Sequence, residues 1–435
     1  MKKENKKVLV GLSGGVDSSV AALLLKKEGY GVEGIFIDFI GDEKSEQDFQ
    51  KAKKIAKKLN VPIHRLDAQK IFKEKIIDRF VEDYKKGATP NPCVMCNPAM
   101  KFKILIEEAN KRGIEKVATG HYSRLRREFP ISNFQFPNKS QIQNSKLKID
   151  ENLEGMQEIK EEGKAKEIPN SRFQISNLKD RIVAVFEKKS NSQPIDDQLS
   201  NRSGDFKELQ ATSYKLAKAK DENKDQSYFL YRLSQSQLAR IIFPLGEYLK
   251  SEVREIADKK GLGIKNEEES QDVCFIADND FNKFIAEKIP NKSGNIVDSD
   301  GNILGKHKGL HFYTIGQRKG INLGGDGPYF VVKKDMANNE LVVANNFIES
   351  LWRDEFEIKN TSWINPGLNF PLEANVKIRY RTEEICAIID EISGSDEIEK
   401  TYKVKLDQPQ KAITPGQSAV FYSKEGEVLG GGIII

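Results

Sequence analysis

The first part of the chain is organised by one stretch, Gly11-Leu12-Ser13-Gly14-Gly15-Val16-Asp17-Ser18-Ser19. The apolar run Val8 to Val10 precedes it and a helical pattern from Val20 to Lys27 follows, which predicts a strand, a glycine turn and a helix. Such a turn leaves backbone N–H groups unpaired at the helix start, where the helix dipole adds about half a positive charge. Gly14 and Gly15 permit positive φ and close approach of a ligand. The stretch therefore predicts a phosphate site, and a tight strand-to-helix turn is the simpler alternative.

The residue pattern of this turn separates it from two common phosphate loops. No lysine follows the glycines, so it is not a G-x-x-x-x-G-K-S/T loop, and it is not G-x-G-x-x-G either. Ser18 or Ser19 can cap the helix or contact a phosphate oxygen. The string resembles the S-G-G-x-D-S loop, the PP-loop, of enzymes that adenylate a substrate with ATP and release pyrophosphate. That resemblance implies ATP and leaves the second substrate open.

Composition limits the classes of protein that the chain can belong to. Its 435 residues predict more than one domain, and 38% hydrophobic residues is low for that length, so we expect a sizeable part to be exposed or disordered. The net charge of +5 permits nucleic acid without requiring it. We expect neither secretion nor membrane insertion, because residues 1–5 begin no apolar segment and no run of 18 apolar residues occurs. Four cysteines in a cytoplasmic, reducing compartment would be structural, metal-binding or catalytic thiols.

Apolar runs and helical patterns alternate through the first part of the chain. Val32 to Asp38 and Val61 to Leu66 are expected strands, and Lys51 to Leu59 and Ile71 to Tyr84 are expected helices. This alternation predicts an α/β fold with a parallel sheet, whose ligands lie at the carboxyl ends of the strands.

A second candidate site is the stretch Thr89 to Asn97, which contains Cys93 and Cys96. Its prolines predict a stiff, exposed loop, and a helix is expected to resume at Lys101. A cysteine at a helix start is expected to have a lowered pKa. The C-x-x-C spacing leaves a zinc half-site, a redox pair or a lone catalytic thiol open. Zinc is disfavoured because no second pair follows and none of the four histidines has ligand spacing, so we expect no metal bound by protein ligands.

Further stretches complete an ordered set of motifs. They are Ala118-Thr119-Gly120-His121-Tyr122, Lys224-Asp225-Gln226-Ser227, Ser270-Gln271-Asp272-Val273-Cys274, Thr314-Ile315-Gly316-Gln317-Arg318, Arg379-Tyr380-Arg381 and Thr414-Pro415-Gly416-Gln417. Together with the PP-loop and N-P-C-x-x-C-N, this set resembles the tRNA-specific 2-thiouridylase family over most of the chain. The resemblance implies a Rossmann-like PP-loop domain, a small central tRNA-binding domain and a C-terminal β-barrel.

We expect the domains to span residues 1–283, 284–327 and 328–435. Residues 125–214 interrupt the first domain with a polar segment that has no Cys, His or Trp, and we expect it to be a largely disordered insertion. Its lysines could contact RNA, although a solvated linker is the simpler reading. From Gly294 onward, short apolar runs alternate with Gly, Asn and Asp turns, which predicts an all-β barrel or sandwich.

The resemblance implies ATP-dependent replacement of O2 of the wobble uridine of tRNA by sulfur. The implied ATP-binding residues are Gly11, Leu12, Ser13, Gly14, Gly15, Val16, Asp17, Ser18, Ile37 and Gly120. Asp17 would help to place Mg²⁺ or phosphate, and a plain helix N-terminal aspartate is the alternative. One departure lies after the second strand, where Asp38 to Glu43 replaces the family's usual Trp-containing acidic segment.

The resemblance also assigns roles to the thiols and to the tRNA site. Cys274 would receive sulfur as a persulfide from a sulfur-donor protein, and Cys96 would be the second catalytic thiol, which closes a disulfide with Cys274 as sulfur leaves. Residues implied to contact the target base or the tRNA are Asn91, Pro92, Cys93, His121, Lys224, Asp225, Gln226, Arg379, Tyr380 and Gln417. Two other interpretations stay open: another adenylating PP-loop synthetase, which would not need Cys96 or Cys274, and a non-catalytic tRNA-binding protein.

Overall fold

The structure is a computed structural model that describes residues 6–128, 213–263, 273–276, 280–324, 328–344, 351–365, 367–392 and 400–435. All of them belong to one compact unit, made of residues 1–128 and 213–435. The expected insertion therefore lies outside the described residues except at its two ends.

A five-stranded parallel sheet forms the N-terminal part. Its strands are β1 (Lys7–Gly11), β2 (Gly31–Asp38), β3 (Ile63–Asp67), β4 (Lys116–Ala118) and β7 (Ile241–Ile242). They are arranged in the order β3-β2-β1-β4-β7, and each neighbouring pair is parallel. The strand that leads into the phosphate loop is therefore the centre of the sheet, and Val8, Leu9 and Val10 in it are fully buried.

Helices cover this sheet. They are α1 (Val16–Lys27), α2 (Glu43–Leu59), α3 (Gln69–Phe72), α4 (Asp78–Lys85), α5 (Pro92–Cys96), α6 (Lys103–Lys111), α7 (Gln235–Leu238), α8 (Lys250–Lys259) and α9 (Phe281–Lys288). Two single-turn π-helical segments join helices end to end: Lys73–Ile77 between α3 and α4, and Asn97–Phe102 between α5 and α6. The alternation of strands and helices confirms the predicted α/β class.

The stretch around Cys93 and Cys96 corrects the sequence-based expectation. We expected an exposed loop, but Pro92–Cys96 is the helix α5, and it continues without a break into the π-helical segment. Asn91 caps α5 by accepting a hydrogen bond from the Cys93 amide at 3.2 Å, and Pro92 occupies the first turn. The expectation failed because proline is well tolerated at the first helical position, where its missing N–H has no partner to lose.

Two strands border the insertion. Strand β5 (Arg124–Glu128) pairs with β6 (Ser213–Ala217) in an antiparallel hairpin, with Glu128 opposite Ser213. The regular fold therefore continues to residue 128 at the first end and resumes at residue 213 at the second, inside the expected limits of 125 and 214.

The central domain is built on a four-stranded sheet. Its strands are β8 (Gly294–Val297), β9 (Ile303–His307), β10 (Phe330–Asp335) and β11 (Glu340–Ala344), in the order β10-β11-β8-β9. The boundary expected at residue 328 would assign β10 and β11 to the C-terminal barrel. Parallel pairing of β11 with β8 places both in the central sheet, and Leu341 and Val343 fill its core.

The C-terminal domain is a closed six-stranded barrel. Its strands are β12 (Trp352–Trp363), β13 (Leu372–Lys377), β14 (Ile385–Ile392), β15 (Thr401–Lys411), β16 (Ser418–Tyr422) and β17 (Val428–Ile434). All neighbours are antiparallel, and pairing of β12 with β17 closes the barrel. The predicted C-terminal β-barrel is therefore confirmed. Cys386 lies on the exposed face of β14, although its apolar neighbours in the sequence are typical of a core strand.

The barrel and the parallel sheet share a hydrophobic core. Val420 and Tyr422 of β16 belong to the same buried cluster as Leu9 of β1 and Leu105 of α6. Tyr228 donates a hydrogen bond to the Ser418 carbonyl at 2.8 Å. Among the described residues, no helix has the length and apolar character needed to cross a bilayer.

Candidate active site

The phosphate loop ends in a helix whose first turn has no side-chain cap. The N-cap residue is Gly15, which has no side chain to cap the first amides of α1. The hydroxyls of Ser18 and Ser19 instead donate to the Gly15 carbonyl at 3.2 and 2.8 Å. The first amides of α1 are thus left available for an anion.

Two glycines hold this loop close to its neighbours. Gly14 has φ of +87°, and a Cβ there would lie 2.7 Å from the Asp48 carbonyl oxygen in α2. A Cβ on Gly120 would lie 2.6 Å from the Ser18 amide nitrogen. Gly120, which follows β4, therefore packs directly against the start of α1, and a larger residue there would push the loop open.

Asp17 is fixed by two residues from distant parts of the chain. The Lys250 ammonium donates to both carboxylate oxygens, at 2.7 and 2.8 Å, and the Tyr122 hydroxyl donates to one of them at 2.9 Å. Lys250 is itself only 8% exposed, and its amide donates to Asp221 at 2.8 Å. A buried lysine therefore lies beside the phosphate loop and is paired with the loop carboxylate, Asp17.

These residues do not provide a ready-made metal site. Both oxygens of Asp17 already accept hydrogen bonds, and the described part of the chain contains no group of three or more His, Cys, Asp or Glu side chains placed to bind a metal ion. The Asp17 carboxylate thus fits Mg²⁺ poorly while Lys250 holds it.

Ile37 lies at the end of β2, half-buried beside the next strand. The neighbouring Asp38 is buried and forms an ion pair with Arg65 at 2.6 Å. Burial opposes ionisation of Asp38, but hydrogen bonds from Arg65 and the Gly41 and Ile40 amides outweigh it and lower the carboxyl pKa. This pair fixes the turn in which the sequence departs from the family.

Two segments bring the predicted catalytic thiols together. Cys96 is buried at the end of α5, in an apolar cluster that also contains Phe275 and Ile276, the residues directly after Cys274. Val273, the residue directly before Cys274, packs against the same cluster. The structure therefore places the Cys274 segment beside the C-x-x-C helix, although Cys274 lies 178 positions after Cys96 in the sequence.

The environment of the thiols opposes their ionisation. Burial raises the pKa of Cys96 to about 12 and also raises that of Cys93, and desolvation raises the pKa of Cys274 although this residue is exposed at the surface, while Lys101 acts in the opposite direction on all three. The lowered pKa expected for a cysteine at a helix start is therefore wrong for this site. Desolvation outweighs the dipole of the short helix.

His121 lies between the phosphate loop and α5. Because α5 carries Cys93 and Cys96, it is called the thiol helix below. Its Nδ1 is 2.7 Å from the Thr119 hydroxyl, and its ring lies 5.6 Å from the buried ring of Phe102. Burial, with the nearby charge of Lys101, lowers its pKa well below the usual value. His121 is therefore neutral at physiological pH and can act as a hydrogen-bonding partner without carrying charge.

The segment Lys224 to Ser227 connects to the phosphate loop through Tyr122. Gln226 donates its amide to the Tyr122 carbonyl at 2.8 Å and accepts the Tyr122 amide on its side chain at 3.0 Å. Asp225 is buried and accepts hydrogen bonds from the Ala219 and Ser227 amides. Asp225 and Gln226 thus shape the site from within, and Lys224 adjoins them.

Three predicted tRNA residues of the barrel also make contacts inside the protein. Arg379 donates to the Ala412 carbonyl and, at 3.0 Å, to the Thr414 hydroxyl. The ring of Tyr380 lies 4.4 Å from that of Phe229. Gln417 donates to the Thr89 carbonyl at 2.6 Å, just before the thiol helix. These contacts connect residues 412–417 of the barrel, called the barrel turn below, with the segment after Lys224 and with the thiol helix.

Sequence reasoning missed Lys250 and Lys101. Lys250 lies 233 positions from Asp17 in a helix start with no unusual pattern, so only the folded chain reveals the pair. Lys101 lies four residues after the end of the N-P-C-x-x-C-N motif and five after Cys96, a spacing that an α-helix does not bring to one face, so no sequence pattern indicated its place.

Family models match the chain along almost its whole length. A "tRNA methyl transferase HUP domain" matches residues 6–152 and 183–278, a "tRNA methyl transferase PRC-barrel domain" matches 282–345, and an "Aminomethyltransferase beta-barrel domain" matches 353–434. The fold and the site thus define a HUP-type nucleotide-binding protein that carries a PRC-barrel and a β-barrel.

Relatives identify the family. The chain is 36% identical over 442 residues to "tRNA-specific 2-thiouridylase MnmA 2" of Clostridium tetani, covering 99% of this chain and 98% of the relative. It is 34% identical to "tRNA-specific 2-thiouridylase MnmA" of Clostridium acetobutylicum, covering 99% of both chains. The chain belongs to the tRNA-specific 2-thiouridylase family, which confirms the resemblance found in the sequence.

Among solved structures, the chain is 23% identical to the U34-tRNA thiolase NcsA of Methanococcus maripaludis. The match covers 28% of this chain and 40% of the NcsA chain, with a TM-score of 0.23.

Proposed function

We propose that this chain is an ATP-dependent tRNA-uridine 2-sulfurtransferase that acts on the wobble uridine. The observation that carries the proposal is the convergence of Cys96 and the Cys274 segment in one apolar cluster, in a protein that also has an uncapped phosphate loop. Family membership supports the same conclusion, since the relatives are named as tRNA-specific 2-thiouridylases.

The phosphate loop would activate the uridine. Amides at the start of α1 and the hydroxyl of Ser13 would bind the phosphates of ATP, with Ile37 and Gly120 lining the adenosine side. Uridine O2 would attack the α-phosphorus, so that an O–P bond forms and pyrophosphate leaves. A carbonyl oxygen thereby becomes part of a good leaving group, AMP.

The thiols would then supply sulfur. The terminal sulfur of a Cys274 persulfide, loaded by a sulfur-donor protein, would attack C2 and expel AMP, which leaves the base joined to Cys274 through two sulfurs. The Cys96 thiolate would attack the Cys274 sulfur, so that the S–S bond to the transferred atom breaks and 2-thiouridine is released. Cys96 and Cys274 end as a disulfide, and a thiol reductant must restore them with two electrons.

Other residues would position the tRNA. Asn91, Pro92 and Cys93 at the start of the thiol helix, together with the neutral His121, would surround the extruded base. Lys224, Gln226, Arg379, Tyr380 and Gln417 would contact the tRNA, with cationic groups for phosphates and Tyr380 for stacking, and the buried Asp225 would hold this segment in place. Mg²⁺ would enter with the phosphates of ATP, since Asp17 is occupied by Lys250. We propose that the reaction takes place in the cytoplasm.

The decisive experiment is nucleoside mass spectrometry of tRNA incubated with the protein, ATP, Mg²⁺ and a persulfide donor. We expect 2-thiouridine, and we expect its loss in Cys96→Ser and Cys274→Ser. Cys386→Ser is the matched control, because Cys386 is exposed on β14, and it should thiolate at the normal rate.

Two outcomes would overturn the proposal. Absence of 2-thiouridine with every persulfide donor, together with ATP–pyrophosphate exchange that is unaffected by both cysteine substitutions, would indicate another adenylating synthetase. Binding of tRNA with neither exchange nor thiolation would indicate a non-catalytic binding protein.

A further inference from the structure

Residues 221–226 form a tight turn, which is called the 221–226 turn below. The Asp221 carboxylate accepts a hydrogen bond from the Asn223 amide at 3.1 Å, and the Asp221 carbonyl accepts one from the Lys224 amide at 3.1 Å. An aspartate that binds the backbone two residues on is a common way to fix a turn. Asp221 is only 9% exposed, so its side chain sets the backbone that carries Lys224 from within the protein.

One route joins the end of this turn to the phosphate loop through Tyr122. The Gln226 amide donates to the Tyr122 carbonyl at 2.8 Å, and the Tyr122 amide donates to the Gln226 side chain at 3.0 Å. At its other end, the Tyr122 hydroxyl donates to the Asp17 carboxylate at 2.9 Å. Tyr122 is 2% exposed, so it is a rigid connection between Gln226 and Asp17.

A second route joins the start of the turn to the same carboxylate through Lys250. The Lys250 amide donates to the Asp221 carboxylate at 2.8 Å, and the Lys250 ammonium donates to both oxygens of Asp17. The ammonium also lies 5.8 Å from the centre of the Tyr122 ring, within the range of a cation–π contact. The two routes therefore form a closed ring of contacts that begins and ends at Asp17.

We propose that Tyr122 and Asp221 are positioning residues that couple the phosphate loop to the 221–226 turn, so that ATP and tRNA strengthen each other's binding. This inference rests on the proposed function, in which Lys224 and Gln226 contact tRNA. It adds a link between two sites that the proposed function treats separately.

The coupling follows from the place of Asp17 in the ring. Asp17 is the second residue of α1, so phosphates bound by the first amides of that helix would lie next to its carboxylate. Fixing Asp17 fixes the ends of both routes, and through them both ends of the 221–226 turn. A tRNA that then binds meets a turn already in place and loses less conformational freedom on binding.

The test measures binding of an unmodified tRNA transcript to the full-length protein, with and without saturating α,β-methylene-ATP and Mg²⁺. The P–C bond between the α- and β-phosphorus of this analogue blocks adenylation, so binding is measured without reaction. We expect the analogue to tighten tRNA binding about fivefold, at the low end of the range for coupled sites. Linkage requires tRNA to tighten binding of the analogue by the same factor, which provides an internal check.

Two variants interrupt the ring at different points. Tyr122→Phe removes the hydroxyl that reaches Asp17 and keeps the ring and the backbone contacts. Asp221→Ala removes the acceptor of the Lys250 amide and keeps the inference testable if Tyr122→Phe folds poorly. Each should lower the fivefold factor to about twofold or less. A merely structural role would weaken binding of each ligand alone and leave the factor unchanged.

Tyr30→Phe is the matched control, because Tyr30 packs against the same core cluster as Tyr122 and should keep the full factor. Independent binding of the two ligands to the wild type would overturn the inference. The full factor in both ring variants, or an equal loss in Tyr30→Phe, would do the same. These results would leave the proposed thiolation standing, since no product is measured. Failure of tRNA to bind under any condition would instead refute the proposed function, and the inference with it.

Discussion

Asp17 supplies the only carboxylate of the phosphate loop, and Lys250 determines where it points. The pair also brings a buried cation to the place where phosphates would bind. Removing Lys250 would leave a carboxylate at the loop with the Tyr122 hydroxyl as its remaining side-chain donor among the contacts described above. The lysine thus contributes both to folding and to the electrostatics of the site.

We expect Lys250→Met to destabilise the protein by about 2 kcal/mol, below the range for a fully buried pair because Asp17 is one-third exposed. It should also weaken ATP binding. Urea unfolding and nucleotide titration would measure these effects. The control is Lys259→Met in the last turn of α8, since Lys259 is exposed and pairs with Glu255 at the surface. Equal stability of the two variants would contradict the structural role of Lys250.

The continuous helix from Pro92 to Lys111 is the element that organises the thiol site. Its start is capped by Asn91, and the π-helical segment Asn97–Phe102 lies in its middle. Asn97 and Pro98 are anchored to other segments, because Asn97 donates to the Phe229 carbonyl at 3.1 Å and Gln237 donates to the Pro98 carbonyl at 2.9 Å. Both ends of α5 are therefore held from outside.

Asn91→Ala should cost about 1 kcal/mol of unfolding free energy, because the Cys93 amide loses its capping oxygen. Asn91→Asp keeps an oxygen in place and is the matched comparison. The two variants should differ in their urea midpoints. Should Asn91→Ala be as stable as the wild type, the cap would contribute nothing to this helix.

Sequence patterns predicted the parts of the fold that depend on local periodicity. The alternation of strands and helices before residue 120, and the short strands after Gly294, lie where periodicity indicated them. The helix at Pro92 was missed because a proline was treated as a breaker when it stood at a helix start. The assignment of β10 and β11 to a domain failed because strand pairing between distant residues leaves no local signal.

The candidate site was predictable only where its residues share a motif. Gly14, Gly15 and Cys96 lie in recognisable strings, whereas Lys250 meets Asp17 only after the chain has folded. The burial that raises the pKa of Cys96 likewise depends on Phe275 and Ile276, far along the chain. Motifs thus indicate which groups take part, and tertiary packing sets their ionisation.

The three domains meet at the residues that precede the thiol helix. The Thr89 amide donates to the Pro415 carbonyl at 2.9 Å, and Gln417 donates to the Thr89 carbonyl. A Cβ on Gly416 would lie 2.8 Å from the Thr89 nitrogen, so the barrel turn fits closely there. On the other side, Gly87 faces Met336 of the central domain. The position of Cys93 and Cys96 therefore depends on contacts with the barrel and the central domain, although both cysteines belong to the first domain.

Gln417→Ala should reduce the rate of tRNA thiolation severalfold while ATP affinity stays unchanged, because the lost hydrogen bond loosens the thiol helix and not the phosphate loop. Gln408→Ala, at an exposed position on β15, is the control. The measurements are product formation and nucleotide titration. A parallel loss of ATP affinity would show that the barrel turn acts on the whole domain.

Stability should fall in mild acid. Burial lowers the pKa of His121, His307 and His311, three of the four histidines. Above about pH 6.5 the folded and unfolded chains both hold them neutral, whereas below it the unfolded chain takes up protons that the folded chain does not. Unfolding free energy should therefore drop by about 1–2 kcal/mol between pH 7 and 5.

Urea unfolding at several pH values would measure this slope. His311→Phe should flatten it, because it removes one of the three groups. His64→Gln is the comparison variant and should not flatten the slope, since the His64 side chain is 42% exposed on β3 and lies 3.7 Å from Glu33. A slope that is the same in all three proteins would rule out the buried histidines as its source.

The hairpin of β5 and β6 has a practical consequence for protein engineering. Glu128 and Ser213 are directly paired, so the polypeptide leaves the domain and returns to it at adjacent points. A two-residue Asn-Gly turn would therefore be long enough to join them and would suit the antiparallel pairing. This position is a natural splice junction, where the intervening residues can be excised, or a reporter grafted in their place, without redirecting either strand.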